Sequence, residues 1–198
     1  MRVKTDARRQ AIVATAWEAF RENGFERTSM KGISDRLGGS KATLYGYFQS
    51  KEQLFAAALE QMIGESAEKA FSRLAGEAEF GTRLLDFANT YLEVRLTAEA
   101  MAIERALIAG GDRSDFGERL RQQFIQPHWR RLAAIVDQEM QAGRLRRADP
   151  MIATWQFRGM IEVDLVERRL HGDQTVTAHE VERAASEGVQ AFLRAYAP

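Results

Sequence analysis

The sequence predicts an all-α protein because apolar residues keep helical spacing, Pro and Gly interruptions are few, and helix-capping signals recur. Apolar side chains repeat every three or four residues along most of the 198-residue chain. Only 3 Pro and 15 Gly interrupt it, and no segment alternates apolar and polar residues as a strand would. We therefore expect about nine helices, arranged as an N-terminal three-helix domain and a larger C-terminal helical bundle.

The first helix is predicted from Ile12, Ala16 and Phe20, which lie four residues apart. It should end at Gly24, since glycine tolerates the left-handed conformation after a last turn. Ser29, with Thr28 before it, provides a capping hydroxyl for a second, short helix. The pattern therefore predicts two helices before residue 38.

Further capping signals predict the helices that follow. Gly38-Gly39 breaks the chain, and Ser40 can cap a third short helix that ends near Phe48. Ser50 and Gln53 have the form of a capping box for a long helix that reaches as far as Leu74.

The C-terminal helices have equally clear signals. Helical spacing covers residues 82–96 and 98–109, then a segment with a break at Pro127 that ends near Gly143. Asp149-Pro150 is a cap followed by proline in the first turn, and it predicts a helix to Leu170. Thr177 and Glu180 form a capping box for the last helix, which ends near Tyr196.

Composition excludes several classes of protein. The absence of Cys excludes disulfides, thiolate metal sites and a cysteine nucleophile, and three isolated His leave little for metal binding. The sequence has no nucleophile elbow and no glycine-rich phosphate loop, so we expect neither an enzyme nor a bound cofactor. No apolar run approaches membrane-spanning length and the N-terminus lacks a signal-peptide pattern, so we expect a cytoplasmic protein that does not bind membranes.

Charge is distributed unevenly along a chain whose total charge is zero. Residues 1–51 carry ten Lys or Arg against five Asp or Glu, whereas residues 52–198 carry 18 against 23. A basic N-terminal quarter indicates a part that binds polyanions, although chance variation among solvated faces would give the same pattern. We place the domain boundary near residue 50, which gives a binding domain at 1–50 and a second domain at 51–198.

Residues 30–48 have the spacing of a helix-turn-helix. Ile33 and Leu37 project inward from one short helix, and Leu44 and Tyr47/Phe48 project inward from the other. The small Ser34 allows the two backbones to approach closely. In this motif the second helix enters the DNA major groove. The motif alone is common in helical bundles, but the basic surplus and the polar start of the second helix favour DNA binding.

The motif and its flanks contain a longer signature. Its residues are Thr28-Ser29, Ile33, Leu37-Gly38, Ser40-Lys41-Ala42-Thr43-Leu44-Tyr45-Gly46-Tyr47-Phe48 and Ser50-Lys51-Glu52-Gln53-Leu54. They resemble the DNA-binding signature of the TetR family of transcriptional regulators, over about residues 8–60. The resemblance implies a homodimeric regulator, usually a repressor, that binds a palindromic operator in double-stranded DNA. A small-molecule effector in the C-terminal domain would release it.

The resemblance also implies roles for individual residues. Lys41 and Thr43 are expected to contact base edges, while Ser40 and Thr28 are expected to contact phosphates through their hydroxyls. The N-terminal cations Arg2, Lys4, Arg8 and Arg9 form a basic arm that would either follow the DNA or remain disordered.

Two tyrosines, one lysine and two glycines complete the expected interface. Of Tyr45 and Tyr47, one should bind phosphate and the other should pack against the first helix; Tyr45 as a core residue is the alternative. Lys51 is an expected phosphate ligand, with a solvated capping lysine as its alternative. Gly39 and Gly46 depart from the family pattern, which usually has a small apolar residue and a longer polar one there.

The C-terminal part resembles the AefR-like type of TetR-family domain more weakly, through Glu104 to Ala109, Gly143-Arg144-Leu145, Asp149-Pro150 and Ala153. Its middle helices would hold the effector. The aromatic and Met side chains there would suit a flat or lipophilic molecule, although core packing explains each of them more simply. The Arg side chains would suit an anionic group, but ion pairing, as between Arg158 and Glu162, is the simpler explanation. These candidates are Phe87, Tyr91, Arg95, Met101, Arg105, Phe124, Trp129, Trp155 and Arg158.

The last two long helices are the expected dimer interface. The helix after Pro150 has two apolar stripes, one of Ile152, Trp155, Gly159, Val163 and Val166 and one of Phe157, Ile161 and Leu165. Both apolar faces of such a helix must be covered, one by its own domain and the other by a partner chain. The alternative is a helix at the centre of a monomeric core.

A second hypothesis is a helical-bundle adaptor that binds a protein partner and no DNA. An adaptor has no need to expose Lys41, Thr43, Tyr47 and Lys51 together on a cationic surface, so their placement separates the two hypotheses.

Overall fold

The structure is a computed structural model that describes residues 5–111 and 115–198. Within these residues the protein is all-α, as the sequence predicts, with eleven α-helices and no strand. The count exceeds nine because a short helix precedes the break at Pro127 and because one predicted helix is divided. No helix among these residues is both long and apolar enough to cross a membrane.

The chain forms two compact units. The first contains the described residues of Met1–Ile63 and Ala102–Leu120, and the second contains Gly64–Met101 and Arg121–Pro198. The predicted boundary near residue 50 separates a DNA-binding part from the remainder by function, whereas these two units are defined by packing. The predicted boundary therefore stays a prediction.

The first unit is built on four N-terminal helices: α1 (Asp6–Arg27), α2 (Met30–Arg36), α3 (Lys41–Tyr47) and the start of α4 (Lys51–Phe71). Most of α6 (Ala98–Gly111) and all of α7 (Phe116–Leu120) also belong to it. The predicted inward residues Ile12, Phe20, Ile33 and Leu44 are buried in its core, whereas Leu37, expected on the same inner face of α2 as Ile33, is half-buried. Helical geometry in α1 stops at Gly24, whose φ is 78°, as the sequence predicts.

The second unit contains the remaining helices. These are α5 (Phe80–Arg95), α8 (Gln126–Gln141), α9 (Pro150–Glu162), α10 (Leu165–Leu170) and α11 (Ala178–Ala195), with a 3₁₀ turn at Ser72–Leu74 and a π-helical turn at Arg121–Ile125. The capping predictions hold here. The Asp149 carboxylate accepts hydrogen bonds from the N–H groups of Met151 and Ile152, and Thr177 and Glu180 form the expected box.

The structure corrects the prediction of one helix from Pro150 to Leu170. α9 ends at Glu162, and Val163 has φ 46° and ψ −125°, a conformation that a β-branched residue rarely adopts. α10 then starts at Leu165. Neither Gly nor Pro marks this break, so the sequence contains no local signal for it.

Helices α9 and α11 approach most closely at Gly188. A Cβ atom at this position would lie 2.6 Å from the carbonyl oxygen of Met160 and 2.8 Å from Cγ2 of Ile161. The carbonyl belongs to the helix backbone and cannot move aside alone. Glycine at 188 is therefore required for the packing of these two helices.

We expect Gly188→Ala to lower the free energy of unfolding by about 1–3 kcal/mol, the usual cost of overpacking a core. Chemical denaturation followed by circular dichroism would measure it. Gly64→Ala is the matched control, because a Cβ there meets nothing within 4 Å and alanine favours the helix. Equal effects of the two substitutions would contradict the close approach.

Candidate DNA interface and effector site

Helix α3 turns one face into the core and the opposite face outward. Leu44 is 1% exposed and Phe48, just after the helix, is buried too. Ser40 is the N-cap, and its hydroxyl accepts a hydrogen bond from the Thr43 N–H at 3.2 Å. Lys41 and Tyr45 are exposed, and Thr43 is half-buried. The outward face therefore presents polar groups that can donate to bases and phosphates.

The turn between α2 and α3 is held by a buried serine. Ser34 is 2% exposed, and its hydroxyl donates to the Gly39 carbonyl at 3.2 Å. A Cβ at Gly39 would lie 3.0 Å from Nη2 of Arg8, so glycine leaves room for this guanidinium beside the turn. The expected role of Ser34 in close helix packing is confirmed.

The two tyrosines of α3 have different surroundings. The Tyr47 hydroxyl accepts a hydrogen bond from the backbone N–H of Thr5, the N-cap of α1, at 3.0 Å. Tyr45 is 49% exposed, so it is not a core residue. This matches the expectation that one tyrosine packs against the first helix, and it leaves Tyr45 as the phosphate candidate.

Thr28 differs from its expected placement. Its side chain is only 6% exposed, and its hydroxyl donates to the carbonyls of Ala19 at 3.0 Å and Gly24 at 2.8 Å. Ser29 caps α2 instead. The single Thr28 O–H proton is thus shared between two backbone carbonyls of α1, and the hydroxyl is turned into the protein. This placement does not favour the expected phosphate contact, which stays a prediction.

Lys51 lies at the start of α4 and reaches back to the end of α1. Its Nζ donates to the carbonyls of Phe25 at 2.9 Å and Glu26 at 3.4 Å, and it lies 4.2 Å from the centre of the Phe25 ring. The side chain is half-buried rather than a freely solvated lysine. An ammonium has three donors, so one remains for a phosphate.

Other cations near α3 are held by their surroundings. The guanidinium of Arg9 lies 5.4 Å from the centre of the Phe48 ring. Arg36 pairs with Glu22 on α1, and its hydrogen bond lowers the pKa of the Glu22 carboxyl. Arg2 and Lys4 of the expected basic arm lie outside the described residues.

The second unit brings several of the effector candidates together in an aromatic cluster. The ring centres of Tyr91 and Trp129 are 5.3 Å apart, and those of Trp129 and Trp155 are 5.5 Å apart. The Arg158 guanidinium lies 5.1 Å from the centre of the Trp129 ring. Phe87 stacks on Tyr91 at 6.1 Å.

Glu162 is the centre of the polar contacts in this cluster. Its carboxylate accepts hydrogen bonds from the Tyr91 hydroxyl, from Arg158 Nε at 2.9 Å and from Arg95 Nε at 3.4 Å. Burial and the Glu162 charge raise the pKa of the Tyr91 phenol, so Tyr91 remains a donor. The sequence indicated only the pairing of Arg158 with Glu162; the contributions from α5 required the fold.

Three effector candidates remain, and one of them, Met101, belongs to the same hydrophobic core of the second unit as Phe87 and Trp129. Met101 and Phe124 are buried in the second unit, with exposures of 2% and 9%. Arg105 is exposed and belongs to the first unit. The arrangement therefore supports six of the nine candidates as one cluster.

Comparison with protein families agrees with this architecture. The model of bacterial regulatory proteins of the tetR family matches residues 12–58. The model of the AefR-like transcriptional repressor C-terminal domain matches residues 82–198, more than half of the chain. The chain belongs to the TetR family of transcriptional regulators.

Individual TetR-family proteins match over different lengths. A TetR-family regulator from Mesorhizobium loti MAFF303099 is 26% identical, with 98% of this chain and 100% of that chain covered at a TM-score of 0.86. The Flavonoid-responsive Regulator FrrA is 30% identical, with 98% and 99% covered at a TM-score of 0.77. UidR of Escherichia coli K12, an HTH-type transcriptional regulator, is 36% identical over 108 residues, which are 54% of this chain and 52% of UidR. The chain thus spans about half the length of this curated relative.

Gly46 departs from the usual TetR-family signature inside the recognition helix α3. It is exposed, and a Cβ at this position would meet nothing within 4 Å. The free protein therefore does not need glycine here for space.

We expect Gly46→Ala to raise the free energy of unfolding, by up to about 1 kcal/mol, because alanine favours the helix. Thermal and chemical denaturation would measure this. Gly38→Ala is the contrasting variant: Gly38 has φ 60°, a conformation that costs other residues about 1–2 kcal/mol. A loss of stability in Gly46→Ala would show that glycine serves the fold at this position.

Proposed function

We propose that this TetR-family regulator is a dimeric repressor that binds a palindromic operator and releases it when a small molecule binds the second unit. The proposal rests chiefly on α3, whose inner face is fixed by Leu44 while Lys41 and Tyr45 are exposed. A regulator of this kind has no enzymatic role, and it acts in the cytoplasm, where the DNA is.

Within this proposal, each residue of α3 has a defined task. Lys41 and Thr43 contact base edges, and Ser40 and Tyr45 contact phosphates, since hydroxyls and an ammonium donate to both. Tyr47 mainly supports the helix through its bond to Thr5. Of the four residues whose joint exposure separates the two hypotheses, Lys41 is exposed, whereas Thr43, Tyr47 and Lys51 are half-buried. The adaptor alternative is less favoured chiefly because the model of tetR-family regulatory proteins matches residues 12–58.

Dimerisation supports the proposal physically. One helix-turn-helix makes few contacts, and two units about 34–36 Å apart can contact successive turns of the major groove. We assign the dimer face to the outward stripe of α9, where Ile152 is 56% exposed and Gly159 has open space beside it, together with Val163 just after the helix, which is 64% exposed. Of the other residues of the predicted stripe, Trp155 is half-buried and Val166 is buried within the subunit. The opposite stripe, with Phe157 and Ile161, is buried within the subunit.

We assign the effector site to the cluster around Glu162. Tyr91, Trp129 and Trp155 offer aromatic surfaces, and Arg158 and Glu162 offer directional polar groups, a combination typical of small-molecule sites. The similarity to FrrA, whose name describes it as flavonoid-responsive, supports a planar aromatic effector.

Selection of bound duplexes from a random DNA pool tests the proposed function. We expect the selected sequences to contain an inverted repeat with half-sites about one helical turn apart. Binding to the selected duplex should weaken steeply with salt, because phosphate contacts release counterions. Absence of enrichment, or binding that does not respond to salt, would contradict DNA regulation.

Lys41→Ala is the informative variant in this selection. Loss of a base contact should relax the preference at one position of each half-site, with a cost of about 1–3 kcal/mol on the preferred duplex. Lys69→Ala, which removes an exposed lysine on the second unit, is the matched control and should leave the selected sequence unchanged. An identical profile for both variants would remove Lys41 from the base-contacting set.

We expect Ile152→Arg to shift the protein from dimer to monomer, because a dimer through α9 would bury an unpaired charge. Sedimentation equilibrium at micromolar concentration would measure the shift. Ile108→Arg is the matched control, since Ile108 is 55% exposed and lies on α6 in the first unit. A stable dimer in Ile152→Arg would place the interface elsewhere.

A further inference from the structure

The ring of Phe25 lies at the point where α1 ends. Gly24 has φ 78° and ψ 163°, which takes Phe25 out of the helical path. The Phe25 ring packs against Phe20 at 5.8 Å and Phe55 at 4.9 Å between ring centres. The end of α1 is thus fixed on α4 by aromatic packing.

A third ring comes from a distant part of the sequence. Phe116, the first residue of α7, stacks on Phe25 with ring centres 5.3 Å apart and an angle of 28° between the planes, and it lies 6.4 Å from Phe55. Helix α7 has five residues, too few to form a stable helix alone. Its position in the first unit therefore depends on contacts such as this stack.

Phe25 also holds Lys51 in two ways. Its carbonyl oxygen accepts a hydrogen bond from Nζ at 2.9 Å, and its ring lies 4.2 Å from the same atom. An ammonium over an aromatic face is attracted by the ring electrons. Any change that moves Phe25 would therefore move the Lys51 ammonium.

We propose that Phe116 is a positioning residue for DNA binding, which acts through Phe25 to hold the Lys51 ammonium where it can bind a phosphate. The proposal rests on the proposed function, since it assumes that Lys51 contacts DNA. The chain passes from Leu120 of α7 directly into Arg121 of the second unit. Phe116 is thus five residues before Arg121, where the chain enters the second unit.

The linkage has a direct physical consequence. When Phe116 is stacked, Lys51 has a fixed position and needs little ordering to meet a phosphate. When the stack is lost, Phe25 and the ammonium gain freedom, and that freedom must be removed on binding. Affinity should fall for all DNA sequences alike, because a phosphate contact carries no base preference.

A double-mutant cycle tests this proposal with Phe116→Leu, Lys51→Ala and the combined variant. The probes are the duplex recovered by selection and a random 30-base-pair duplex, with affinity measured by fluorescence anisotropy over a range of salt. We expect each single variant to weaken binding to both probes. Lys51→Ala should also reduce the slope of log affinity against log salt by about 0.9 per bound subunit, the share of one phosphate. Phe116→Leu keeps the ammonium, so it should lower the affinity and leave this slope close to the wild-type value.

The combined variant decides the mechanism. If Phe116 acts through Lys51, Phe116→Leu should change the affinity by less than about two-fold in the Lys51→Ala background. Two-fold is about the deviation from additivity that independent substitutions usually show. Phe116→Tyr, which keeps the ring, should retain the wild-type affinity for both duplexes. Phe80→Leu, a buried aromatic substitution in the second unit, controls for general loss of stability.

The outcomes separate this proposal from the proposed function. If the wild-type protein binds neither probe, the DNA-binding proposal fails and this one with it. If the wild-type protein binds, but Phe116→Leu leaves the affinity unchanged, the positioning role is overturned. Equal losses from Phe116→Leu with and without Lys51 would likewise overturn it, because Phe116 would then act by another route.

Discussion

A seven-residue helix cannot hold its shape in water, and the outward face of this protein's DNA-binding motif depends on such a helix. Isolated helices shorter than about 12–15 residues are marginal, and α3 also contains Gly46. The helical conformation of α3 is therefore stabilised by contacts with the rest of the protein. Leu44 is buried in the core, and the Tyr47 hydroxyl is hydrogen-bonded to the start of α1. The groups that face DNA are positioned by residues that face away from it.

Two residues that the sequence predicts as phosphate ligands also form hydrogen bonds within the protein. The Thr28 hydroxyl, with its single proton, lies within hydrogen-bond distance of the Ala19 and Gly24 carbonyls, and Thr28 is buried. The Lys51 ammonium donates to the carbonyls of Phe25 and Glu26 near the C-terminal end of α1. Because an ammonium has three protons and a hydroxyl has one, Lys51 retains more capacity for an external contact than Thr28.

Local sequence signals were sufficient for most of the fold and for part of the site. Caps such as Asp149 and the box at Thr177 have a local cause, and the structure contains them where the sequence predicts them. The break at Val163 has no such signal, and the stack of Phe116 on Phe25 joins residues far apart in the chain. Contacts of this kind depend on how the helices pack, which local patterns do not encode.

The cluster around Glu162 follows the same logic in the second unit. Buried ionic groups contribute little net stability, because the loss of solvation offsets the attraction between the charges. Glu162 nevertheless has hydrogen bonds from Tyr91, Arg95 and Arg158, so removal of one partner would leave a poorly solvated charge. Since the Tyr91 phenol has a raised pKa and keeps its proton, the donors that face Glu162 stay the same across physiological pH. Within the proposed function, an effector at this cluster would be selected by its shape and by the hydrogen bonds it replaces, and proton loss from Tyr91 would have no part in that selection.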